Sequence, residues 1–261
     1  MTNTVKAPVP TSGKAGAAII QAMAIMPCPA IAAADCVPAK THFDVLAGLV
    51  DLHGATAVDV GAGDGAFARQ LATSAAQVTA IEVDENKVAA GAGNVPAGVE
   101  FRIGRAEDLP VENATADLVC FMFSFHHVPA DEQVRALEEC ARVLRPGGRL
   151  HVVDPLPHGG MTDIVRPLED ETDVRTRSQN RLRELAMPQF RLVEQRDYVL
   201  TRIFHSFDQV VERVTSANPA RAAKLPVAID VMKRAFDQHM QLTAAGYEIE
   251  QPCVMFHFER V

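Results

Sequence analysis

Short apolar runs alternate with longer amphipathic segments between residues 42 and 153. The runs are rich in Val, Ile and Ala, which favours buried strands, and the segments between them have apolar positions at helical spacing. Strands that alternate with helices predict a parallel sheet with right-handed crossovers. The predicted strands are Thr56–Val60, Gln77–Val83, Val99–Gly104, Ala116–Phe123 and Arg149–Val153, and the predicted helices are His42–Leu52, Ala66–Ser74, one beginning at Asn86, and Asp131–Leu144.

The last hundred residues have a different pattern. Residues 155–190 are rich in Pro, Gly and charge, which predicts a loop with one helix. Later apolar runs predict two more strands and two helices, and a connection of this length predicts a cover over a substrate. The fold class is therefore α/β, a doubly wound and mostly parallel sheet of about seven strands. The late elements are a strand within Phe190–Phe204, helices at Phe207–Val214 and Ala220–Thr243, and a final strand at Cys253–Phe258.

The residues before this region predict a separate arm. Residues 1–14 are polar and contain Pro and Gly, which is typical of disorder. An alanine-rich segment that follows predicts a helical lid to about Ala39. The stretch Ala15–Met26 imitates a signal peptide, but Gln21 and Pro27 interrupt it and favour a short amphipathic helix. We expect an arm at residues 1–40 and one domain at 41–261, with substrate-cover insertions at about 155–190 and 205–250.

Composition narrows the class of protein. The net charge of −8 argues against a nucleic-acid surface, which needs a concentrated basic face. No apolar run approaches the ~18 residues of a membrane span. The five cysteines have no C-x-x-C spacing, which is typical of reduced thiols in a cytoplasmic protein. These features predict a cytoplasmic enzyme that acts on a small molecule.

A glycine-rich turn follows the first predicted strand. The sequence Val58–Gly65 (VDVGAGDG) leads from this strand into the next helix, and glycine allows a ligand to approach the backbone closely. Gly61, Gly63 and Ala66 also satisfy the dinucleotide pattern G-x-G-x-x-G/A. However, Asp59 and Asp64 lie beside these glycines. Two carboxylates repel a pyrophosphate and attract a ligand with an ammonium and a sulfonium, so the charge favours a cationic nucleoside.

Two later acidic segments complete an adenosine pattern. Glu82 ends the second predicted strand, and its carboxylate can accept both hydroxyls of a ribose. Nicotinamide enzymes use the same arrangement, so Glu82 alone does not discriminate. The loop Ala106–Pro110 adds a backbone N–H and an acid that can bind the edge of adenine.

At these residues the chain resembles the class I S-adenosylmethionine-dependent methyltransferases, in particular the small-molecule branch with the ubiquinone and menaquinone C-methyltransferases. The resemblance extends from about His42 to Asp154. It implies that the last strand is antiparallel and that the cofactor is S-adenosyl-L-methionine. The segments that resemble the family are VDVGAGDG (58–65), IEVD (81–84), GRAEDLP (104–110), FSFHHV (123–128) and VLRPGGRL (143–150).

The resemblance also implies the residues that bind the cofactor. One group would hold the methionine moiety and shape the turn, a second the ribose and adenine, and a third the methyl-transfer side. The branch often has an acid immediately before the alanine of the adenine loop, where this chain has Arg105, so adenine binding would depend on the residues after it. The three groups are Asp59, Gly61, Gly63 and Gly65; Glu82, Val83, Ala106 and Glu107; and Phe123 and Ser124.

The histidines are the remaining candidates for chemistry. His126 and His127 follow the fourth predicted strand, and His158 follows the fifth, where each can contact a substrate. His127 is a candidate general base, but methyl transfer from a sulfonium does not always require one, so no catalytic residue is assigned. No further metal ligands occur at short spacing in the sequence, which predicts no metal site.

Two other functions remain open at this level. The first is a nicotinamide-dependent oxidoreductase, which the aspartates around the glycines disfavour. The second is a non-catalytic S-adenosylmethionine-binding subunit that serves a partner protein. The leading hypothesis is methyl transfer from S-adenosylmethionine to a small-molecule acceptor by in-line displacement. The identity of the acceptor, the methylated atom and a homo-oligomeric state stay open.

Overall fold

The structure is a computed structural model that describes residues 37–39, 41–93 and 95–261, with the backbone alone for 37–39. In these residues nine strands form one sheet, with eight α-helices and two 3-10 helices around it. None of the helices in these ranges has the length and apolar character that crossing a membrane requires. The strands are β1 (Val37–Ala39), β2 (Thr56–Val60), β3 (Gln77–Glu82), β4 (Val99–Ile103), β5 (Ala116–Met122), β6 (Leu144–Pro155), β7 (Phe190–Phe204), β8 (Gln241–Thr243) and β9 (Gly246–Arg260). The α-helices are α1 (His42–Ala47), α2 (Ala66–Leu71), α3 (Glu85–Ala92), α4 (Gln133–Val143), α5 (Gly160–Val165), α6 (Thr172–Arg183), α7 (Phe207–Ala217) and α8 (Leu225–His239), and the 3-10 helices are Phe125–His127 and Pro219–Lys224.

The order of strands in the sheet is β1-β7-β9-β6-β5-β2-β3-β4, and β8 pairs with the first residues of β9. Strands β2 to β6 are parallel to one another. Strand β9 is antiparallel to both β6 and β7. The prediction of a doubly wound, mostly parallel sheet is confirmed, and β1 and β8 add to the seven expected strands.

The sheet has a topological switch point between β2 and β5. From β2 the chain adds β3 and β4 on one side, and then returns to add β5 and β6 on the other side. The two crossovers that leave β2 and β5 therefore diverge and open a crevice at the carboxyl ends of these strands. In open α/β sheets this is where ligands bind.

Strand β2 shows why an uninterrupted apolar run forms a central strand. Val58 and Val60 pack with Phe121 in the apolar core on one face of the sheet. Ala57 packs with Leu71 of α2 in the core on the other face. Both faces are covered, so both sets of side chains must be apolar. Asp59 is the exception in this strand, because it is a charged residue type and yet only 1% of it is exposed.

The first helix and the arm differ from the prediction. Helix α1 ends at Ala47 rather than Leu52, because Gly48 follows it and glycine costs about 1 kcal/mol in a helix interior. The helical arm was predicted to reach about Ala39, but Val37–Ala39 is a strand that pairs in parallel with β7. The remainder of the arm, with Cys28 and Cys36, lies outside the described residues.

The elements after residue 155 also differ from the prediction. Residues 155–190 contain two helices, α5 and α6, rather than one. The helix predicted at Ala220–Thr243 is divided into a 3-10 helix and α8. The side chain of Asn218 caps the first by accepting a hydrogen bond from the N–H of Ala220, and the second begins at Leu225 with Pro226 in its first turn. Residues 241–243 are then a strand, β8, that forms a hairpin with β9.

Two strands are longer than predicted. Strand β6 begins at Leu144, so the predicted turn Pro146–Gly148 lies inside its irregular first part, where Gly147 has a φ of +80°. The final strand extends over Gly246–Arg260, well beyond Cys253–Phe258, because it pairs along the whole length of β7.

Candidate active site

The turn after β2 contains three glycines, and a different structural reason explains why glycine is present at each position. Gly61 has a φ of +72°, and a Cβ atom there would lie 2.4 Å from Ser124 Cβ. Gly65 has a φ of +80°, and a Cβ atom would lie 2.3 Å from Phe101 Cζ. Gly63 has a φ of +59°, but a Cβ atom there would meet no heavy atom within 4 Å. Gly61 and Gly65 therefore permit close packing, whereas Gly63 borders open space where a ligand can approach.

Glu82 connects the turn to the end of β3. Its Oε2 accepts a hydrogen bond of 2.9 Å from the N–H of Gly63, and its Oε1 accepts one of 2.8 Å from the N–H of Val83. The N–H of Asp84 also donates to Oε1, at 3.2 Å. These bonds fix the carboxylate at the crevice, and Oε2 keeps a lone pair for a further donor. Val83, the next residue, exposes 58% of its surface although it is apolar. A fixed carboxylate beside an exposed apolar side chain suits a ribose with its attached base.

Asp59 lies beneath the turn as a buried carboxyl group. Neither of its oxygens has a hydrogen-bond partner among the described residues. Burial, together with the negative charge of Glu82, raises the pKa of Asp59 to about 7, and the nearby amide of Ala68 opposes this shift only in part. An unpaired carboxyl group costs free energy when it is ionised. A cation bound at the turn would relieve this cost, because it attracts the carboxylate through the low-dielectric interior.

This pKa predicts how stability depends on pH. The folded state retains the Asp59 proton to about pH 7, whereas the unfolded chain loses it near pH 4, so stability falls as pH rises through this window. We expect Asp59→Asn to remove this dependence, and the variant to gain up to ~4 kcal/mol relative to the natural protein between pH 4 and pH 8. Urea unfolding at the two pH values measures the difference. A constant difference across the window would contradict the assignment.

The loop after β4 is fixed from both sides. Arg105 Nε donates a hydrogen bond to Glu107 Oε1. Burial acts to raise the pKa of Glu107, but the hydrogen bond and charge of Arg105 outweigh it, so this pKa is lowered and the carboxylate is ionised. The N–H of Leu109 donates to Glu139 of α4 at 2.8 Å. Arg105, which departs from the family pattern, thus holds the acid that follows it, and Ala106 lies buried between them.

The chain turns sharply after β5. Phe123 has a φ of +59°, which is unfavourable for a residue with a Cβ atom, and its N–H donates to Val153 of β6 at 2.8 Å. Ser124 Oγ donates to the carbonyl oxygen of Val60 at 2.5 Å. These two bonds join the ends of β2, β5 and β6. They direct the following 3-10 helix, with its two histidines, to the same edge of the sheet as the glycine turn.

His126 forms a buried pair with Asp154. The His126 Nδ1 atom lies 2.7 Å from Asp154 Oδ1, and both side chains are at most 2% exposed. Ser178 of α6 donates to the other oxygen, Oδ2, at 3.4 Å. His126 Nε2 is buried and has no hydrogen-bond partner in the described part of the chain. A carboxylate on Nδ1 fixes the tautomer that leaves Nε2 as a proton acceptor.

The other two predicted histidines have different surroundings. The ring of His127 lies 4.1 Å from that of His126 between centroids, and its side chain is half-exposed. Partial burial and the adjacent His126 lower the pKa of His127, so its ring is neutral at neutral pH. His158 lies near Asp197 of β7, whose pKa is raised by burial although the charge of Arg183 opposes this shift. The three histidines therefore do not form one cluster.

Residues from distant parts of the chain converge on His127. Ligand atoms of His126, His127 and Glu171 lie within 4.8 Å of one another, which the sequence could not show. However, both oxygens of Glu171 are bonded to arginines, Oε2 to Arg175 and Oε1 to Arg221 at 3.0 Å. Two guanidinium groups neutralise this carboxylate and repel a dication, so the cluster is better described as an ion-pair network.

This description predicts the effect of metal removal. We expect an excess of EDTA to leave the activity and the melting temperature unchanged, because Glu171 is already paired with Arg175 and Arg221. Activity assays and thermal unfolding before and after dialysis against the chelator measure this. Loss of activity that Mg²⁺, Mn²⁺ or Zn²⁺ restores would show that the three groups hold a metal.

The residues of the crevice fit S-adenosylmethionine. The unpaired carboxyl group of Asp59 favours a cationic ligand, Gly63 borders open space, and Glu82 presents a fixed carboxylate. The order of the strands, with the last strand antiparallel between β6 and β7, defines the fold of the class I methyltransferases. Among solved structures with this fold is a putative methyltransferase from Bacillus halodurans, which is 20% identical with a TM-score of 0.56 over 84% of this chain and 98% of that chain.

The sequence of the central part of the chain is similar to known methyltransferases. Residues 58–152 match the family model described as a methyltransferase domain, and methyltransferases of this kind use S-adenosylmethionine as the methyl donor. The chain is 36% identical over 137 residues to the 27-O-demethylrifamycin SV methyltransferase of Amycolatopsis mediterranei, over 48% of this chain and 50% of the relative. It is 37% identical over 113 residues to a ubiquinone biosynthesis O-methyltransferase of Xanthomonas oryzae pv. oryzae, over 42% of this chain and 46% of the relative. The chain thus spans about half the length of these curated relatives.

Proposed function

We propose that this chain transfers a methyl group from S-adenosylmethionine to a hydroxyl group of a small molecule. The bound donor supplies a methyl group already activated on its sulfonium, so the protein mainly aligns the acceptor and excludes water. The family match over residues 58–152 supports the reaction class. The names of both curated relatives, which describe methylation at oxygen, support a hydroxyl acceptor.

The observation that supports oxygen as the acceptor atom is the buried pair of His126 and Asp154. A hydroxyl group has to lose its proton as it attacks, and a positioned base accelerates this step. His126 Nε2 is available as that base, because Asp154 binds Nδ1 and no described residue binds Nε2. Asp154 also stabilises the imidazolium that forms when the proton arrives. His127 lies next to this pair and faces solvent, so we assign the base to His126 and the route of the proton outward to His127.

The donor-binding residues of the proposal remain those that the sequence indicated. Asp59 supplies negative charge from beneath the turn, and Glu82 accepts the ribose hydroxyls. Glu107, held by Arg105, would bind the adenine edge. The complete set is Asp59, Gly61, Gly63, Gly65, Glu82, Val83, Ala106, Glu107, Phe123 and Ser124.

The remainder of the chain completes this picture. Residues 155–190 and 205–250 would cover the acceptor. We infer a cytoplasmic location, which is supported by the buried thiols of Cys120 and Cys140, whose pKa values are raised by burial. A small-molecule acceptor without nucleic acid agrees with the net charge of −8.

A screen with donor labelled on its methyl group tests the proposal. The full chain is incubated with labelled S-adenosylmethionine and sets of small phenols, alcohols, amines and thiols, and labelled products are counted. We expect transfer to phenols or alcohols, and affinity for S-adenosylhomocysteine by calorimetry. If the protein binds nicotinamide cofactors and not S-adenosylhomocysteine, the proposal fails. If it binds S-adenosylhomocysteine and labels only amines or thiols, the hydroxyl assignment fails.

A further inference from the structure

Arg202 is a half-buried cation that has no acidic partner among the described residues. Its Nε donates to Gln251 Oε1 of β9, and its guanidinium lies 5.9 Å from the centre of the Phe123 ring. No ion pair joins Arg202 to a carboxylate among the described residues, although other arginines in this part of the chain, such as Arg142 and Arg221, form such pairs. Its two terminal nitrogens thus keep their donors for another partner.

The position of Arg202 places it at the active edge of the sheet. It lies two residues before the end of β7, and β7 runs in the same direction as β6, because both are antiparallel to β9. Its carboxyl end therefore lies at the same edge as Phe123, which follows β5. Strands β9 and β6 lie between β7 and β5, whereas β3 with Glu82 lies beyond β2 in the opposite direction. Arg202 is therefore on the side of the crevice away from Glu82, which is the side left for the acceptor.

The groups around Arg202 destabilise its positive charge, and a bound anion would offset this effect. The charge of Arg213, from α7, repels it, and burial lowers the pKa of Arg202. Burial and the charge of Arg202 also lower the pKa of His42 to about 3, so this ring is neutral. His42 Nδ1 lies 2.6 Å from the hydroxyl oxygen of Tyr198, and His42 Nε2 is buried without a partner. Arg202 and the neutral pair His42–Tyr198 thus lie around Phe123, the charge of Arg213 acts on the same guanidinium, and no carboxylate of the described residues pairs with Arg202.

We propose that Arg202, with Arg213 and the pair His42–Tyr198, forms a subsite that binds a carboxylate of the methyl acceptor. A guanidinium has a planar fork of donors that matches both oxygens of a carboxylate. The charge of the bound group offsets the repulsion between the two arginines. The ring of Phe123, in contact with His42 at 4.9 Å between centroids, provides an apolar wall for the body of the same molecule.

A purely structural role for Arg202 leaves its remaining donors and its unpaired charge unexplained. Packing over Phe123 and the bond to Gln251 orient the guanidinium, but they use only one of its five N–H donors. A buried charge without a counter-charge is unfavourable. Exposed arginines elsewhere on β7, such as Arg191, are paired with an acid, here Glu259 at 2.8 Å.

The test rests on the proposed function and uses the full chain saturated with S-adenosylhomocysteine. Benzoate and hexanoate are titrated by calorimetry, each against its neutral amide, at constant ionic strength. We expect each carboxylate to bind at least about tenfold more tightly than its amide. Arg202→Gln should abolish the preference and Arg213→Gln should reduce it, whereas Arg191→Gln, on the same strand, should retain it.

The outcomes separate the subsite from the proposed function. Equal affinity for acid and amide in the natural protein overturns the subsite, and so does a preference that persists in Arg202→Gln. Should Arg202→Gln fail to fold, Arg213→Gln on the exposed surface of α7 decides, and an unchanged preference there counts against the proposal.

Comparison of S-adenosylhomocysteine with 5′-methylthioadenosine, which lacks the amino acid, identifies the source of the carboxylate. If Arg202→Gln removes the difference between these two nucleosides, the subsite belongs to the donor and the acceptor assignment is overturned. If S-adenosylhomocysteine does not bind at all, the proposed function fails first.

Discussion

Replacing His126 with glutamine is expected to slow methyl transfer to a hydroxyl by about 10²- to 10⁴-fold, the range of general base catalysis. The amide retains a polar side chain of similar size but cannot accept the proton of the acceptor. Affinity for S-adenosylhomocysteine should stay unchanged, because His126 lies outside the residues proposed to bind the donor. Single-turnover rates with labelled donor measure the first effect, and calorimetry measures the second.

Two further variants separate a base from a structural histidine. Asp154→Asn retains the shape of the side chain but favours the wrong tautomer of His126, so the rate should fall to a similar extent. His53→Gln, an exposed histidine in a turn, should leave the rate unchanged. The rate of His126→Gln should recover toward that of the natural protein when a more acidic phenol is the acceptor, because such a phenol ionises in solution. A rate deficit independent of acceptor acidity would contradict the role of a base.

Gly63→Ala is expected to lower affinity for S-adenosylmethionine by about 100-fold, which corresponds to ~3 kcal/mol. The Cβ atom would enter the open space that borders the turn and would meet the ligand rather than the protein. The left-handed backbone adds a cost of about 1–2 kcal/mol to the folded state. Calorimetry gives the affinity, and urea unfolding gives the stability.

The chain offers a matched control for this substitution. Gly54 has a φ of +73° and likewise no atom within 4 Å of an added Cβ, but it precedes β2 at the opposite edge of the sheet. Gly54→Ala should therefore lose similar stability and retain full affinity. Gly61→Ala should lose both, because its Cβ atom would collide with Ser124. Equal affinities for the Gly63 and Gly54 variants would place the donor elsewhere.

The central part of the fold could be predicted from local sequence because its strands are buried on both faces. Thr56–Val60 is a strand with the bounds that its apolar run indicates. The later elements were harder, since their ends depend on partners far along the chain. Gln241–Thr243 is a strand only because residues 246–248 fold back on it, and β9 is long only because β7 is long.

The candidate site also has one part that the sequence could predict and one part that it could not. The glycine turn and Glu82 are separated by one crossover, and the spacing of these motifs indicated their shared role. Asp154 and Glu171 were missed as partners of the histidines, because their proximity depends on the register of β5 against β6 and on the packing of α6. Arg202 was missed as well, because nothing in the sequence shows that a cation in a strand lacks an acid nearby.

The place of β9 has a consequence for folding. It is the last strand along the chain, yet it lies between β6 and β7, which have no contact as sheet neighbours until it arrives. During synthesis β6 and β7 would therefore leave the ribosome with open edges, and such edges promote pairing with other chains. Productive folding depends on the speed of this insertion, so the yield of native protein should be sensitive to chaperones and to the translation rate over residues 246–260.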